Sequence, residues 1–320
     1  MSDVVLITGG LGYVGGRIAQ KLTEDRNYSL RLGTRRASSG KPKWLRNGNL
    51  VQMELMSGEN LDAACKGARW VIHLAALNEV ESAGDPEKAL LVNSLGTLKL
   101  LRAAERAQVE RFIYFSTAHI YGTPLIGRIT EETLPRPVHP YAITHKVAED
   151  FVLSSNDRKR LRGIVLRLSN SLGAPADAQI NRWMLVANDL CRQAVTERKL
   201  VLKTSGMQRR DFIALSDVTN AVLHFLDLPD LKCGNGIFNL GGENSLRIID
   251  LAERISSRCQ VVLKFTPPIL RPEPASDEVS ENLDYRTDKL RNTGFSLKSN
   301  FDEEIDATLR LCQEAFSRKS

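Results

Sequence analysis

Val4-Val5-Leu6-Ile7-Thr8-Gly9-Gly10-Leu11-Gly12-Tyr13-Val14-Gly15-Gly16 decides how this chain is read. An apolar run of this length that breaks into glycines suits a strand buried on both faces of a parallel sheet. Gly9, Gly12 and Gly15 then let the backbone turn tightly and come close to a pyrophosphate. They also open a helix whose first N–H groups face the anion. In the following Arg17-Ile18-Ala19-Gln20-Lys21-Leu22 the apolar residues fall at 18, 19 and 22, a helical spacing. A glycine turn alone is a weak signal, because many such runs are only turns. Its weight comes from later segments that fall into register with it.

Strand-like runs follow at 30–34, 50–55, 70–75, 111–116 and 163–168, with helical stretches between them. The clearest helix is expected over 85–106. There Asp85 can cap, Pro86 sits in the first turn, and Leu90, Leu91, Leu95, Leu98 and Leu101 recur at helical spacing. A second amphipathic helix is expected over 141–153. Repeated strand–helix alternation predicts an α/β fold with a doubly wound, parallel, Rossmann-type sheet. Beyond Asn170 the rhythm loosens, with a loop at 174–181, a helix over 182–197 and a Pro-rich, acidic loop over 267–281. The expected organisation is a dinucleotide-binding domain over 1–170, with segments near 208–242 returning to it. Residues 171–207 and 243–320 then form a smaller C-terminal substrate-binding lobe over the carboxyl edge of the sheet.

Composition narrows the classes. The chain has 320 residues, 42% of them hydrophobic, so it can bury a full core. The net charge of +6 is scattered over short groups such as Arg35-Arg36, Arg158 to Arg162 and Arg209-Arg210. None interleaves with aromatics as a single-strand nucleic-acid groove would, so no nucleic-acid partner is expected. Solvated surface charge explains most of the excess, and an anionic small molecule is left for the rest. The five cysteines are odd in number, widely spaced and without a metal-ligand pattern, which fits a reducing, cytoplasmic setting. The first strand begins almost at once, so no signal peptide is expected. No apolar run approaches the roughly 20 residues a membrane span needs, so no membrane association is expected.

Taken in order, several motifs resemble the extended short-chain dehydrogenase/reductase family, particularly its nucleotide-sugar epimerases and reductases. They are Thr8-Gly9-Gly10-Leu11-Gly12-Tyr13-Val14-Gly15, Val71-Ile72-His73-Leu74-Ala75-Ala76, Asp85-Pro86 through Asn93 to Gly96-Thr97, and Phe115-Ser116-Thr117 to Tyr121-Gly122. Pro140-Tyr141-Ala142, Leu166-Arg167-Leu168-Ser169-Asn170 to Gly173, Arg210-Asp211-Phe212-Ile213 and Phe238-Asn239-Leu240-Gly241 continue the series. Each is common by chance; their joint order and spacing is not. The resemblance covers nearly the whole chain and implies an NAD(P)-dependent enzyme acting on a nucleotide-linked sugar. It implies a homodimer as well, assembled through the helices 85–106 and 141–153. It also puts Gly9, Gly12, Tyr13, Val14, Gly15, Leu74, Ala75, Ala76 and Asn93 around the cofactor, with Glu54-Leu55 beside its adenine.

Cofactor choice turns on the end of the second strand. A carboxylate there would accept from the adenosine ribose hydroxyls of NAD and repel a 2′-phosphate. This chain has Thr34-Arg35-Arg36 instead, and a guanidinium grips phosphate with charge-assisted hydrogen bonds. NADP(H) is the favoured reading and NAD(H) stays open, a solvated loop being the plain alternative for the arginines.

The resemblance puts the reactive centre at Thr117, Tyr141 and residue 145. In the family a tyrosine four residues before a lysine exchanges the proton of the sugar oxygen, and Ser or Thr orients that oxygen. Residues i and i+4 share one helix face. Here the i+4 residue is His145, and the lysine has slipped to Lys146. One residue is a rotation of about 100°, so Lys146 should point elsewhere. Histidine can donate to ribose hydroxyls but carries no permanent charge near neutral pH.

The related sugar dehydratases carry Asp-Glu after the threonine, where this chain has Ala118-His119, so elimination of water is not expected. His119 stands where relatives of another kind carry a proton-moving cysteine; simple packing is its plain alternative. Arg210 matches an arginine that contacts the pyrophosphate of a nucleotide sugar, against a structural ion pair with Asp211 or Asp217. Asn78, Asn170 and Arg271 complete the substrate candidates. A reductase of a small non-nucleotide carbonyl compound and a non-catalytic NADP(H) sensor remain as alternative readings.

Overall fold

The computed structural model describes residues 2–25, 27–36 and 40–317. Seven parallel strands form its central sheet: β1 (Asp3–Thr8), β2 (Tyr28–Thr34), β3 (Gly48–Gln52), β4 (Trp70–His73), β5 (Arg111–Thr117), β6 (Arg162–Leu168) and β7 (Ile237–Leu240). Their spatial order is β3-β2-β1-β4-β5-β6-β7, so the order reverses between β1 and β4. Side chains alternate as a strand requires. Val5 and Ile7 enter one apolar core and Leu6 the other; Ile113 and Phe115 oppose Phe112 and Tyr114 in the same way. Both faces are covered, which makes the sheet doubly wound.

Seven helices matter for the site. They are α1 (Tyr13–Leu22), α2 (Gly96–Arg106), α3 (Pro140–Asp157), α4 (Val186–Thr196), α5 (Leu215–Asp227), α6 (Ile248–Val262) and α7 (Phe301–Phe316). α1 and α5 cover one face of the sheet; α2 and α3 cover the other. A third core collects Leu190 and Cys191 of α4, Leu251 and Ile255 of α6, and Ile305 and Leu309 of α7. A three-stranded sheet of Asn170–Leu172, Arg209–Ala214 and Ser245–Arg247 joins that core to the end of β6. Among the described residues, no helix is long and apolar enough to cross a membrane. All five cysteines are buried and unpaired.

Two expected helices differ in detail. The stretch 85–106 is not one regular helix: Pro86–Ala89 is α-helical, Leu90–Leu95 is a π-turn, and α2 follows. Asp85 does cap it, its carboxylate accepting from the Lys88 N–H at 2.9 Å. The helix expected from 182 starts only at Val186, because Leu185 is extended and the Trp183 indole donates to the Ala178 carbonyl at 3.1 Å. The seventh strand, Ile237–Leu240, lies where the expected returning segment ends.

Candidate active site

Where the strand order reverses, the carboxyl edge of the sheet opens into a cavity of about 760 Å³. Its floor is the glycine turn. Gly9 has φ +69°, and a Cβ there would lie 2.9 Å from the Ala75 nitrogen, so the turn and the segment after β4 touch backbone to backbone. The Gly12 N–H donates to the Gly9 carbonyl at 2.8 Å, and no side chain caps the start of α1. Gly9, Gly12, Val14, Gly15, Leu74, Ala75 and Ala76 line the cavity. Uncapped helix N–H groups beside a glycine cradle suit an anion. The Ser116 hydroxyl, buried without a partner among the described residues, belongs to a residue of the same wall. Tyr13 reaches across: its hydroxyl donates to the Gly173 carbonyl at 2.9 Å and ties α1 to the segment after Asn170–Leu172.

The opposite wall carries the reactive groups. Thr117 ends β5, and its hydroxyl accepts from the His119 N–H at 3.2 Å, capping the short helix Ala118–Tyr121. Tyr141 sits in the first turn of α3, whose start is capped by His139: the ring Nδ1 accepts from the Tyr141 N–H at 3.2 Å. One turn on, His145 lies against Tyr141 with ring centroids 4.2 Å apart, and its Nδ1 bonds the Tyr141 carbonyl at 2.8 Å. A carbonyl only accepts, so Nδ1 carries the proton and Nε2 is bare in the neutral ring. Burial pulls the His145 imidazole down to about 4 and also lowers His119. Burial, then the Glu79 carboxylate, push Tyr141 well above the usual phenol range, and Arg182 partly opposes them. Lys146 lies outside the cavity and pairs with Asp150 at 2.5 Å. One turn beyond His145, Glu149 holds Arg167 of β6 in a buried bidentate pair at 3.1 and 2.9 Å, which anchors α3.

The three-stranded sheet contributes Arg210 and Asn170. Asp211 accepts instead from the N–H groups of Gly242 and Asn244, and Asp217 from those of Lys298 and Ser299. Neither carboxylate pairs with Arg210. The Arg210 guanidinium, lowered by burial, has no partner among the described residues and lines the cavity. The Asn170 amide donates to the Asp211 carbonyl at 3.0 Å.

Other expected site residues are engaged otherwise or lie outside the cavity. Asn78 lines the cavity, but its side chain caps the helix Glu79–Gly84. Asn93 is 1% exposed and outside the cavity; its amide accepts from Leu77 N–H at 2.7 Å and donates to Thr144 Oγ1 at 3.1 Å. Thr34, Arg35 and Arg36 sit at the end of β2, next to β1 but beyond the cavity wall; Arg35 is exposed with no partner among the described residues. The Glu54 carboxylate accepts from its own turn, at the Met56 N–H, and Leu55 is buried in the core against Gly96. Arg271 is exposed, away from the cavity, and donates to the Ser205 carbonyl at 2.6 Å.

Three residues that sequence reasoning did not single out also belong here. Glu79, Arg182 and Lys203 line the cavity with no ion pair among the described residues, and nothing in their local pattern marks them. His73 is different. It stands as a lone imidazole inside a buried apolar strand, and its position in the quoted motif is a signal that was there to read.

The profile of the NAD dependent epimerase/dehydratase family matches residues 5–241. A UDP-glucose 4-epimerase of Rhizobium leguminosarum bv. trifolii is 30% identical over 278 residues, covering 80% of this chain and 83% of the relative. The UDP-glucose 4-epimerase of Thermotoga maritima, solved with UDP-glucose, shares the fold at a TM-score of 0.81 and 23% identity, over 97% of this chain and 99% of that one. RMD of Pseudomonas aeruginosa, solved with NADPH, does so at 0.79 and 22% identity, over 98% of each chain. With three quarters of its length matched and its cavity at the switch point of the sheet, the chain belongs to the NAD dependent epimerase/dehydratase family.

Proposed function

We propose that this enzyme uses an NAD(P) cofactor to oxidise or reduce a carbon of a nucleotide-activated sugar, as a 4-epimerase or a keto-reductase. The observation that carries the reading is one cavity holding the glycine turn, Thr117 with Tyr141, and an unpartnered Arg210. When bound, the cofactor supplies or accepts the hydride. Gly9, Gly12, Val14 and Gly15 with the start of α1 hold its pyrophosphate, and Leu74, Ala75 and Ala76 flank it. Arg35 and Arg36 favour the 2′-phosphate of NADP(H).

Tyr141 gives or takes the proton of the sugar oxygen while the Thr117 hydroxyl orients it. His145 takes the place of the family lysine. Its bare Nε2 accepts from a ribose hydroxyl, a role opposite to a lysine's donation. Arg210, with Asn170 and Asn78, meets the nucleoside diphosphate and sugar. Residues 171–207 and 243–320, which bring Arg182 and Lys203 to the same cavity, act mainly as the substrate lobe. His119 serves as a second acid or base near the sugar. The protein works as a homodimer, and its five reduced cysteines suit the cytoplasm.

Replacement of Tyr141 by Phe tests the centre of this reading. With UDP-glucose and other nucleotide-linked hexoses as substrates, Tyr141→Phe is expected to lose turnover by about 100-fold or more while cofactor binding stays near the parent value. Unchanged turnover would remove the mechanism. Tight cofactor binding by the parent with no turnover of any sugar nucleotide would favour the sensor reading, and turnover of a small ketone indifferent to Arg210 the other alternative.

A further inference from the structure

Between the glycine turn and the catalytic helix runs one directed chain of hydrogen bonds, and His73 is its middle. Each link is fixed by counting protons. The Thr97 hydroxyl donates to the Asn93 carbonyl at 2.5 Å, which uses its only hydrogen. The His73 Nε2 lies 2.8 Å from the Thr97 hydroxyl oxygen, so it is the protonated nitrogen and donates. Nδ1 of His73 is then a bare acceptor, filled by the Thr8 hydroxyl at 2.6 Å. With its hydrogen committed, Thr8 Oγ1 accepts from the N–H groups of Leu74 and Ala75, both at 3.3 Å. Ala75 is the residue whose nitrogen lies against Gly9.

Beyond Thr97 the chain continues through the π-turn. Asn93 supplies the carbonyl that Thr97 holds, and its side chain grips both sides of the site: Leu77 N–H at 2.7 Å and Thr144 Oγ1 at 3.1 Å. Thr144 shares its one hydroxyl hydrogen between the carbonyls of Pro140 and Tyr141, at 2.9 and 3.0 Å, and its own carbonyl accepts from the Ser94 hydroxyl at 2.8 Å. His73, Asn93, Ser94, Thr97 and Thr144 are all buried, so water cannot replace a lost link. A π-turn in the middle of a helix is uncommon and marks functional positions often enough to be noted. Here it aims Asn93 at Leu77 and Thr144.

We propose that His73 is a positioning residue of the reaction, joining the segment that flanks the cofactor to the turn that carries Tyr141, so that the two are set as one unit. The assignment rests on Tyr141 as the proton carrier for its catalytic half; its cofactor half stands without that. Neither His73 nor Thr97 lines the cavity, so any effect of either on a ligand is indirect.

The test uses the isosteric loss of one hydroxyl. Thr97→Val cuts the chain and Thr97→Ser keeps it; Thr8→Val and Thr8→Ser repeat the cut on the other side of His73, should Thr97→Val fail to fold. Dissociation constants for NADPH and NADH are read by fluorescence without sugar, kcat at saturating cofactor, and Tm in parallel. Thr97→Val is expected to weaken cofactor binding roughly fivefold or more and to lower kcat by a similar factor, with Thr97→Ser close to the parent. The double variant Thr8→Val/Thr97→Val should lose no more than the worse single one, because the chain is already cut. A fall in Tm with dissociation constants and kcat unchanged would reduce the network to scaffolding. Additive losses would make the two hydroxyls independent and overturn the linkage. If Tyr141→Phe keeps full activity while Thr97→Val still weakens the cofactor, the proton-transfer reading fails and the cofactor half of this one survives.

Discussion

His145 shows how one side chain resets a site. A lysine at this place would hold a fixed cation near the tyrosine. The imidazole is instead tied by Nδ1 to the Tyr141 carbonyl and kept neutral by burial. The sequence already implied the swap, because a one-residue slip swings Lys146 around the helix, and Lys146 is found paired with Asp150. Its consequence for Tyr141 was not legible, since burial and the Glu79 carboxylate come from tertiary packing. The end of β2 is a simpler case. Arg35 and Arg36 follow a strand hydrogen-bonded to the one that carries the glycine turn, where a 2′-phosphate would be read. Charge-assisted contacts contribute roughly 1.5–3 kcal/mol each. Replacing both arginines by neutral residues is therefore expected to weaken NADPH binding by about tenfold or more and NADH binding far less. Equal losses, measured by titration with each nucleotide, would show that the pair does not read the phosphate.

At the scale of elements, the pattern of leucines over 85–106 announced a helix but not its break. Periodicity reports which side chains are apolar; the π-turn follows from where Asn93 and Thr97 find partners. The same pattern held more apolar residues than one buried face requires. Leu90, Leu91 and Leu95 remain exposed, as does Ile143 on α3, at 49, 43, 38 and 42%. Four large apolar side chains on the two helices that pack together behind the site are an unusual surface for a lone chain. Two-fold pairing of that surface would bury it against itself. Light scattering at micromolar concentration is expected to give the mass of two chains, and Leu91→Glu with Leu95→Glu to shift it to one. A single-chain mass for the parent would dispose of the dimer.

Two of the five histidines, His73 and His145, are buried where water is scarce, and this sets a pH dependence for folding. Six of the seven strands of the sheet were readable from the alternation of the first 170 residues, the seventh coming from the returning segment. Burial on this scale was not, because it depends on the lobe and the crossover helices closing over the strand ends. Burial, with the neighbouring His145 adding to it, takes His73 down to about 3. It sits among the hydroxyls of Thr8 and Thr97 and the rings of Phe112 and Tyr114. Burial takes His145 to about 4, between Tyr114 and Tyr141, with Glu79 opposing the shift. In the unfolded chain both return to about 6.5. The unfolded state then binds more protons wherever the pH lies between these values, so stability rises with pH there. The contribution is fully present above about 6.5 and is lost as the pH falls toward 4 for His145 and toward 3 for His73. Each histidine adds a slope of up to about 1.4 kcal/mol per pH unit inside that window. Urea unfolding at pH 7, 6 and 5 is expected to show falling stability with a shallower slope in His145→Asn, which removes one titrating group. Parallel slopes in parent and variant would mean that His145 is not held neutral by the fold.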